Sequence, residues 1–183
     1  MRKKILATTA LAGIGIAALA IVSKSRNEPL DTVEYVDLEK YLGKWYEIAA
    51  FPQSFEKGCT HSTAEYSMRD DGNIAVKNSC MKDDKIDIAE GVAYVTDKKT
   101  NAKLDVQFFW PIKGKYWIIG LAPDYSYAVV GHPNRKYLWI LCRKPVMDSA
   151  IYNHLVLVSA SKGFDIRKLV KTEHGVELSE PLI

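Results

Sequence analysis

The stretch Val36-Asp-Leu-Glu-Lys-Tyr-Leu-Gly-Lys-Trp-Tyr-Glu-Ile-Ala49 changes character at Gly43. A short polar turn leads up to it, Gly43 permits close backbone approach, and Trp45 opens an apolar run through Phe51. That run is the first of eight with one theme: seven to twelve residues rich in Tyr, Val, Ile, Trp and Phe, separated by turn clusters. The others cover residues 59–69, 73–81, 85–96, 102–110, 115–122, 126–132 and 137–143.

Turn chemistry separates the runs. Asp71-Gly72 lies in the first hairpin loop, 96–101 is polar, Pro111 to Gly114 joins two aromatic runs, and His132 to Arg135 contains Pro and Asn. Short loops predict antiparallel hairpins joined in sequence order, and they leave no room for βαβ crossovers. Alternation marks one apolar and one wet face: Ala64, Tyr66 and Met68 oppose Thr63, Glu65 and Ser67, and Leu104, Val106 and Phe108 oppose Lys103, Asp105 and Gln107. A two-sheet sandwich gives the same alternation as a barrel. Pro145 to Ala160, with Val146, Met147, Ile151, Leu155 and Val158, has the spacing of a helix with one apolar stripe. Gly163 ends it, and Phe164 to Val170 is a further short strand or extended segment.

Residues 36–49 resemble the signature of the lipocalin family, a short turn followed by Gly-x-Trp-Tyr at the first strand. The likeness continues through Pro123, Asp124 and Tyr125, through Tyr127 to Val130, and through Tyr137 to Arg143. Within the family it is nearest to the bacterial outer-membrane lipocalins and their animal and plant relatives. The resemblance implies an all-β fold: an eight-stranded antiparallel up-and-down β-barrel with one C-terminal α-helix packed outside. It implies that Gly43, Trp45 and Arg143 close one end, the guanidinium lying over the indole face.

An eight-stranded barrel has room for one small ligand. The expected interior, ligand-binding set is Ala64, Tyr66, Met68, Phe108, Trp110, Tyr116, Ile118, Tyr127 and Trp139. The loop from Phe51 to Lys57 reads as a lid with Phe51, Pro52 and Phe55 at the mouth. The function implied by the resemblance is carriage of a hydrophobic ligand, a fatty acid or lysophospholipid, in the cell envelope. The alternatives are a scavenger of a tetrapyrrole or retinoid-like compound and a ligand-free structural envelope protein. Membrane contact is open to such a protein, as is homodimer formation, since family relatives can pair.

Arg2, Lys3 and Lys4 precede an almost charge-free stretch from Ile5 to Val22, so 1–22 reads as an export signal peptide or an uncleaved membrane anchor. Residues 23–30 form a polar linker and 31–183 the folded domain. The three basic residues account for the entire +3 net charge, so the remainder has no global field to draw it onto nucleic acid. Bacterial relatives are commonly held by a lipidated Cys, and this sequence has none before Cys59; a periplasmic or inner-membrane-tethered location is therefore expected alongside the outer membrane.

The three cysteines allow one disulfide. Cys59 and Cys80 flank the first hairpin and are the leading pair, although an unbulged register turning at Asp71-Gly72 leaves them offset, and Cys142 reads as a small buried strand residue. His61, His132, His154 and His174 are too scattered for a metal site, and no metal or cofactor is expected. No catalytic residue is assigned: adjacent Ser62 and His61 would point to opposite faces of a strand, and no Gly-x-Ser-x-Gly, His-Glu-x-x-His or phosphate-cradling loop occurs. The lysines at 82, 85, 98, 99 and 103 are interspersed with Asp83, Asp84, Asp87 and Asp97, which makes a mixed-charge rim and no nucleic-acid surface.

Overall fold

A computed structural model describes residues 28–54 and 56–175. The expected signal or anchor segment, most of the linker and the chain beyond Gly175 lie outside the described residues. Nine strands form one sheet: β1 (Gly43–Ala50), β2 (Thr60–Met68), β3 (Ile74–Lys82), β4 (Lys85–Val95), β5 (Lys103–Phe109), β6 (Ile112–Leu121), β7 (Tyr127–Gly131), β8 (Leu138–Cys142) and β9 (Val170–Lys171). Strands β2 to β8 pair antiparallel in sequence order, and β1 pairs with both β8 and β2, closing an eight-stranded barrel. Closure decides between barrel and sandwich, which alternation alone leaves open.

The seam between β1 and β2 is hydrogen-bonded only from Gly43↔Tyr66 to Tyr46↔Thr63. Above it, the C-terminal segment fills the gap. β9 pairs with Ala49 and Ala50, Thr172 N–H donates to Ile48 O (3.1 Å), and His61 N–H donates to Glu173 O (2.7 Å). The expected extended segment after Gly163 is thus a 3₁₀ turn (Ile166–Lys168) followed by this seam strand.

Face parity sorts the apolar residues into two bodies. Trp45, Tyr66, Ile74, Val76, Ala93, Leu104, Ile118, Val130 and Leu141 belong to the barrel interior. Ile48, Ile119, Val129, Leu138, Ile140, Leu155 and Phe164 form a second body between the outer wall and helix α2 (Ser149–Ser161); a four-residue turn of helix, α1 (Leu38–Tyr41), precedes β1. α2 starts later than the sequence pattern suggests because the Asp148 side chain accepts hydrogen bonds from Ala150 N–H (2.8 Å) and Ile151 N–H (3.1 Å), capping the helix there. Val146 therefore precedes the helix and is exposed, and the packed face runs through Tyr152, Leu155, Val156 and Ser159 rather than through Ile151.

The register between β2 and β3 slips by one between Thr60 and Thr63, where His61 adopts φ 56°. That slip reduces the expected offset, and Cys59 and Cys80 are joined as a disulfide with Cα atoms 5.5 Å apart. Cys142 is a buried free thiol.

Candidate functional site

One end of the barrel is sealed from the sequence stretch that opens β1. Gly43 has φ +88°, a conformation that favours glycine, and it turns the chain so that Trp45 enters the interior fully buried. The indole N–H donates to Tyr41 O at 2.8 Å, and the Arg143 guanidinium lies 3.7 Å from the ring centroid. Arg143 also donates to the carbonyls of Lys40 (2.7 Å), Lys44 (2.9 Å), Tyr41 (3.3 Å) and Tyr125 (3.3 Å). One side chain thereby ties α1, the start of β1 and the β6–β7 loop to the end of β8.

Above this plug the Tyr116 hydroxyl bridges those of Tyr41 (2.8 Å) and Tyr66 (2.9 Å). Burial raises the pKa of all three phenols, Tyr66 to about 12, so they stay neutral and act as a hydrogen-bonded floor.

The other half of the barrel is open. Asn78 and Ala89 face one another across β3 and β4 on the same face as interior Ala64, yet Ala89 is exposed, whereas Val76 and Ala93 lower on that face are buried. Phe108 and Trp139, packed against the interior cluster, are half-buried. The β5–β6 tip beside the mouth leaves Phe109 (77%), Trp110 (88%) and Ile112 (74%) largely exposed.

Of the residues expected to line the interior, Ala64, Tyr66, Phe108, Tyr116, Ile118 and Trp139 lie in or against the interior cluster. Three lie elsewhere. Met68 shares the inward parity of β2 but sits at its closed-end tip, half exposed, opposite Ile74. Trp110 is in the β5–β6 turn, beyond the register shift between Val106 and Phe109. Tyr127 pairs with Cys142 and packs outside, under α2. The lid reading also changes for Phe51, which is buried outside the barrel against Phe164 (ring centroids 6.2 Å apart); Pro52 is exposed and Phe55 lies outside the described residues.

Two carboxyls at the mouth were not anticipated. Glu47 pairs with interior Leu141 and shares the face of Trp45, so it points inward, where its carboxyl accepts from the Thr172 hydroxyl. Alternation from Trp45 is the sequence signal that could have found it. Glu56 lies on the loop after β1, where its backbone N–H donates to Gln53 O at 3.3 Å. Burial, together with the nearby Glu47 charge, pushes Glu56 up to about 8, and burial raises Glu47 as well. A separate open groove of about 270 Å³ lies on the outer wall beside Tyr46, His61, Thr63 and His174. Among the described residues no group of three or more His, Cys, Asp or Glu side chains is placed to hold a metal ion.

Comparison with known proteins agrees with this architecture. Residues 36–174 match the model of the Lipocalin-like domain. The chain is 39% identical over 165 residues to the outer membrane lipoprotein Blc of Escherichia coli K12, covering 87% of this chain and 93% of the relative. It is 38% identical over 157 residues to temperature-induced lipocalin-1 of Arabidopsis thaliana, covering 81% and 84%. It is 40% identical over 153 residues to apolipoprotein D of Rattus norvegicus, covering 78% and 79%. Among solved structures, insecticyanin from the tobacco hornworm Manduca sexta superposes with a TM-score of 0.66 at 23% identity, covering 81% of this chain and 86% of that one, a likeness of fold. With a family model spanning most of the barrel and relatives near 40% identity along most of their length, this chain belongs to the lipocalin family.

Proposed function

We propose that this lipocalin carries one single-chain lipid, a fatty acid or a lysophospholipid, with its hydrocarbon in the open half of the barrel. The observation that carries this reading is the asymmetry of the two ends. One is plugged by Trp45 under Arg143, while at the other inward-facing Ala89 is exposed and Phe108 and Trp139 are only half-buried. Ala64, Tyr66, Phe108, Tyr116, Ile118 and Trp139 are the side chains proposed to meet the ligand. Each CH₂ withdrawn from water contributes about 0.8 kcal/mol, so a single acyl chain suffices without any covalent step.

Exchange with a bilayer is the proposed route of loading. The exposed Phe109, Trp110 and Ile112 beside the mouth suit shallow insertion, which would bring the opening to the lipid surface. A location in the cell envelope is supported by the basic and apolar character of residues 2–22 and by the name of the Escherichia coli relative.

The test is transfer of a pyrene-labelled lysophospholipid between vesicles by the purified full-length chain. Saturable transfer at one lipid per chain, slowed when Trp110 and Ile112 are changed to Ser, is the expected result. No binding and no acceleration over spontaneous exchange would refute the carrier reading.

A further inference from the structure

We propose that residues 170–175 form a strap that opens as a unit, and that its release parts the upper half of the β1–β2 seam into a side slit through which the ligand enters and leaves the barrel. The opening strap stands on the geometry of the seam; its use by a ligand rests on the carrier reading above.

The seam has two unlike halves. Next to the closed end, β1 and β2 pair directly, from Gly43↔Tyr66 to Tyr46↔Thr63. Beyond Tyr46 they part. Ala49 and Ala50 use one edge for Ile140 and Trp139 of β8 and the other for Lys171 and Val170 of β9, so β9 stands on the β2 side of β1. The same segment reaches β2, where His61 N–H donates to Glu173 O (2.7 Å), while Thr172 N–H donates to Ile48 O of β1 (3.1 Å). Residues 170–175 are thus a stave between two strands that are not paired with each other at that level. Val170 pairs with Ala50, which lies opposite interior Trp139, so this residue of the stave belongs to the inner wall beside the mouth.

Two imidazoles latch its end. Gly175 N–H donates to His61 Nε2 (2.6 Å), which leaves His61 Nδ1 to meet the Thr60 hydroxyl (3.0 Å), and that hydroxyl donates to Met81 O of β3 (3.4 Å). His174 Nε2 donates to Glu47 O (2.7 Å), and its ring stands edge-on to those of Tyr46 and His61, with centroids 5.6 and 6.2 Å apart. On the barrel side the Thr172 hydroxyl donates to the Glu47 carboxyl, and on the outside the Lys171 ammonium lies 4.6 Å from the centroid of the Tyr152 ring on α2.

This stave differs from its neighbours in how it is held. None of its residues is buried: Val170, Lys171, Glu173 and Gly175 are exposed and Thr172 and His174 half-buried, whereas Ala49 beside them is fully buried. Segments that open locally are those that bury little apolar surface and rest on hydrogen bonds within reach of water. The latch is also strained. His61 holds φ 56° at the register slip of β2, a conformation that costs a residue with a Cβ, and both its N–H and its ring serve the strap. Beside His174 and Gly175 runs the outer-wall groove of about 270 Å³, so the latch end has space to move without displacing a core side chain. An acyl chain is long and thin; a slit continuous with the mouth lets it pass broadside, where the mouth alone requires it to thread end-on.

Two measurements on the full-length chain test this. Amide hydrogen exchange reads the opening: the Thr172 and His61 N–H groups are expected to exchange together, about a hundredfold or more faster than the slowest amides of the β7–β8 ladder. Release of a pyrene-labelled lysophospholipid from preloaded protein to excess vesicles reads the slit. Ala49 and Lys171 face one another across the β1–β9 ladder, and oxidising the double variant Ala49→Cys, Lys171→Cys ties the strap down. Release is then expected to slow about tenfold or more relative to the single-Cys variants, with one lipid still bound per chain. Gly175→Pro removes the latch donor, and its Cβ would stand 2.7 Å from His61 Nε2. That variant is expected to release lipid about threefold or more faster than wild type. Release at an unchanged rate from the locked protein, or strap amides that exchange only together with the β7–β8 ladder, would overturn the inference and leave the carrier reading in place. A wild-type chain that takes up no lipid would overturn the carrier reading and the slit with it. If the locked variant does not fold, the wild-type exchange pattern and the Gly175→Pro release rate decide.

Discussion

Arg143 lies 3.7 Å from the centroid of the Trp45 ring while its three guanidinium nitrogens donate to four backbone carbonyls from three separate segments. The pair is a structural clasp: stacking alone contributes about 1 kcal/mol, but withdrawing the guanidinium also orphans the carbonyls it serves. Arg143→Ala is therefore expected to lower unfolding free energy by about 2–4 kcal/mol in urea titration, with lipid stoichiometry at the distant mouth unchanged. A loss under about 0.5 kcal/mol would show that water replaces the guanidinium without cost.

Gly131 is the point where the barrel wall meets the C-terminal packing. A Cβ built there would stand 2.5 Å from Phe164 Cζ and 3.1 Å from Ile119 Cδ1. Gly131→Ala should destabilise by about 1–3 kcal/mol through overpacking. The double variant with Phe164→Leu should recover part of that loss, as a thermal melt of the four-member mutant cycle would show. Strict additivity would mean the two positions do not share the space.

The disulfide closes a loop with a sequence separation of 21. Replacing Cys59 and Cys80 together by Ala is expected to cost about 2–4 kcal/mol, chiefly by freeing the unfolded chain. Chemical reduction of the native protein should lower its melting temperature comparably. An unchanged melt under reducing conditions would contradict the bridge.

Glu56 makes stability depend on pH. Unfolded, it titrates near 4.5, and burial in the fold raises it to about 8, so the folded state holds the proton more tightly between those values. Its contribution to stability is complete below 4.5 and is lost as pH rises through 8. Glu56→Gln should flatten that slope, and a slope identical to wild type would assign it to other groups.

Much of this architecture is written in strand periodicity, and the places where it fails have physical causes. β2 and β5 have one face wet, so Ala64, Tyr66 and Phe108 could be assigned inward from alternation. β7 is apolar at every position because α2 and Phe164 cover its outer side, so parity within Tyr-Ala-Val-Val-Gly carries no direction and Tyr127 cannot be told from an interior residue. Trp110 reads as a strand end until the register shift after Val106 places it in the turn. Glu47 and Glu56 run against the expectation of an apolar lining, and the strand that completes the β1–β2 seam comes from more than a hundred residues further along, a pairing that local pattern does not encode.

The central claim, that the open half of this barrel holds one lipid, is tested most directly by native mass spectrometry of the purified full-length protein, followed by extraction and identification of whatever it has retained. One single-chain lipid per barrel, displaced stoichiometrically by added lysophospholipid, is the expected result. A protein that is empty as isolated and refuses every added single-chain lipid would contradict the account.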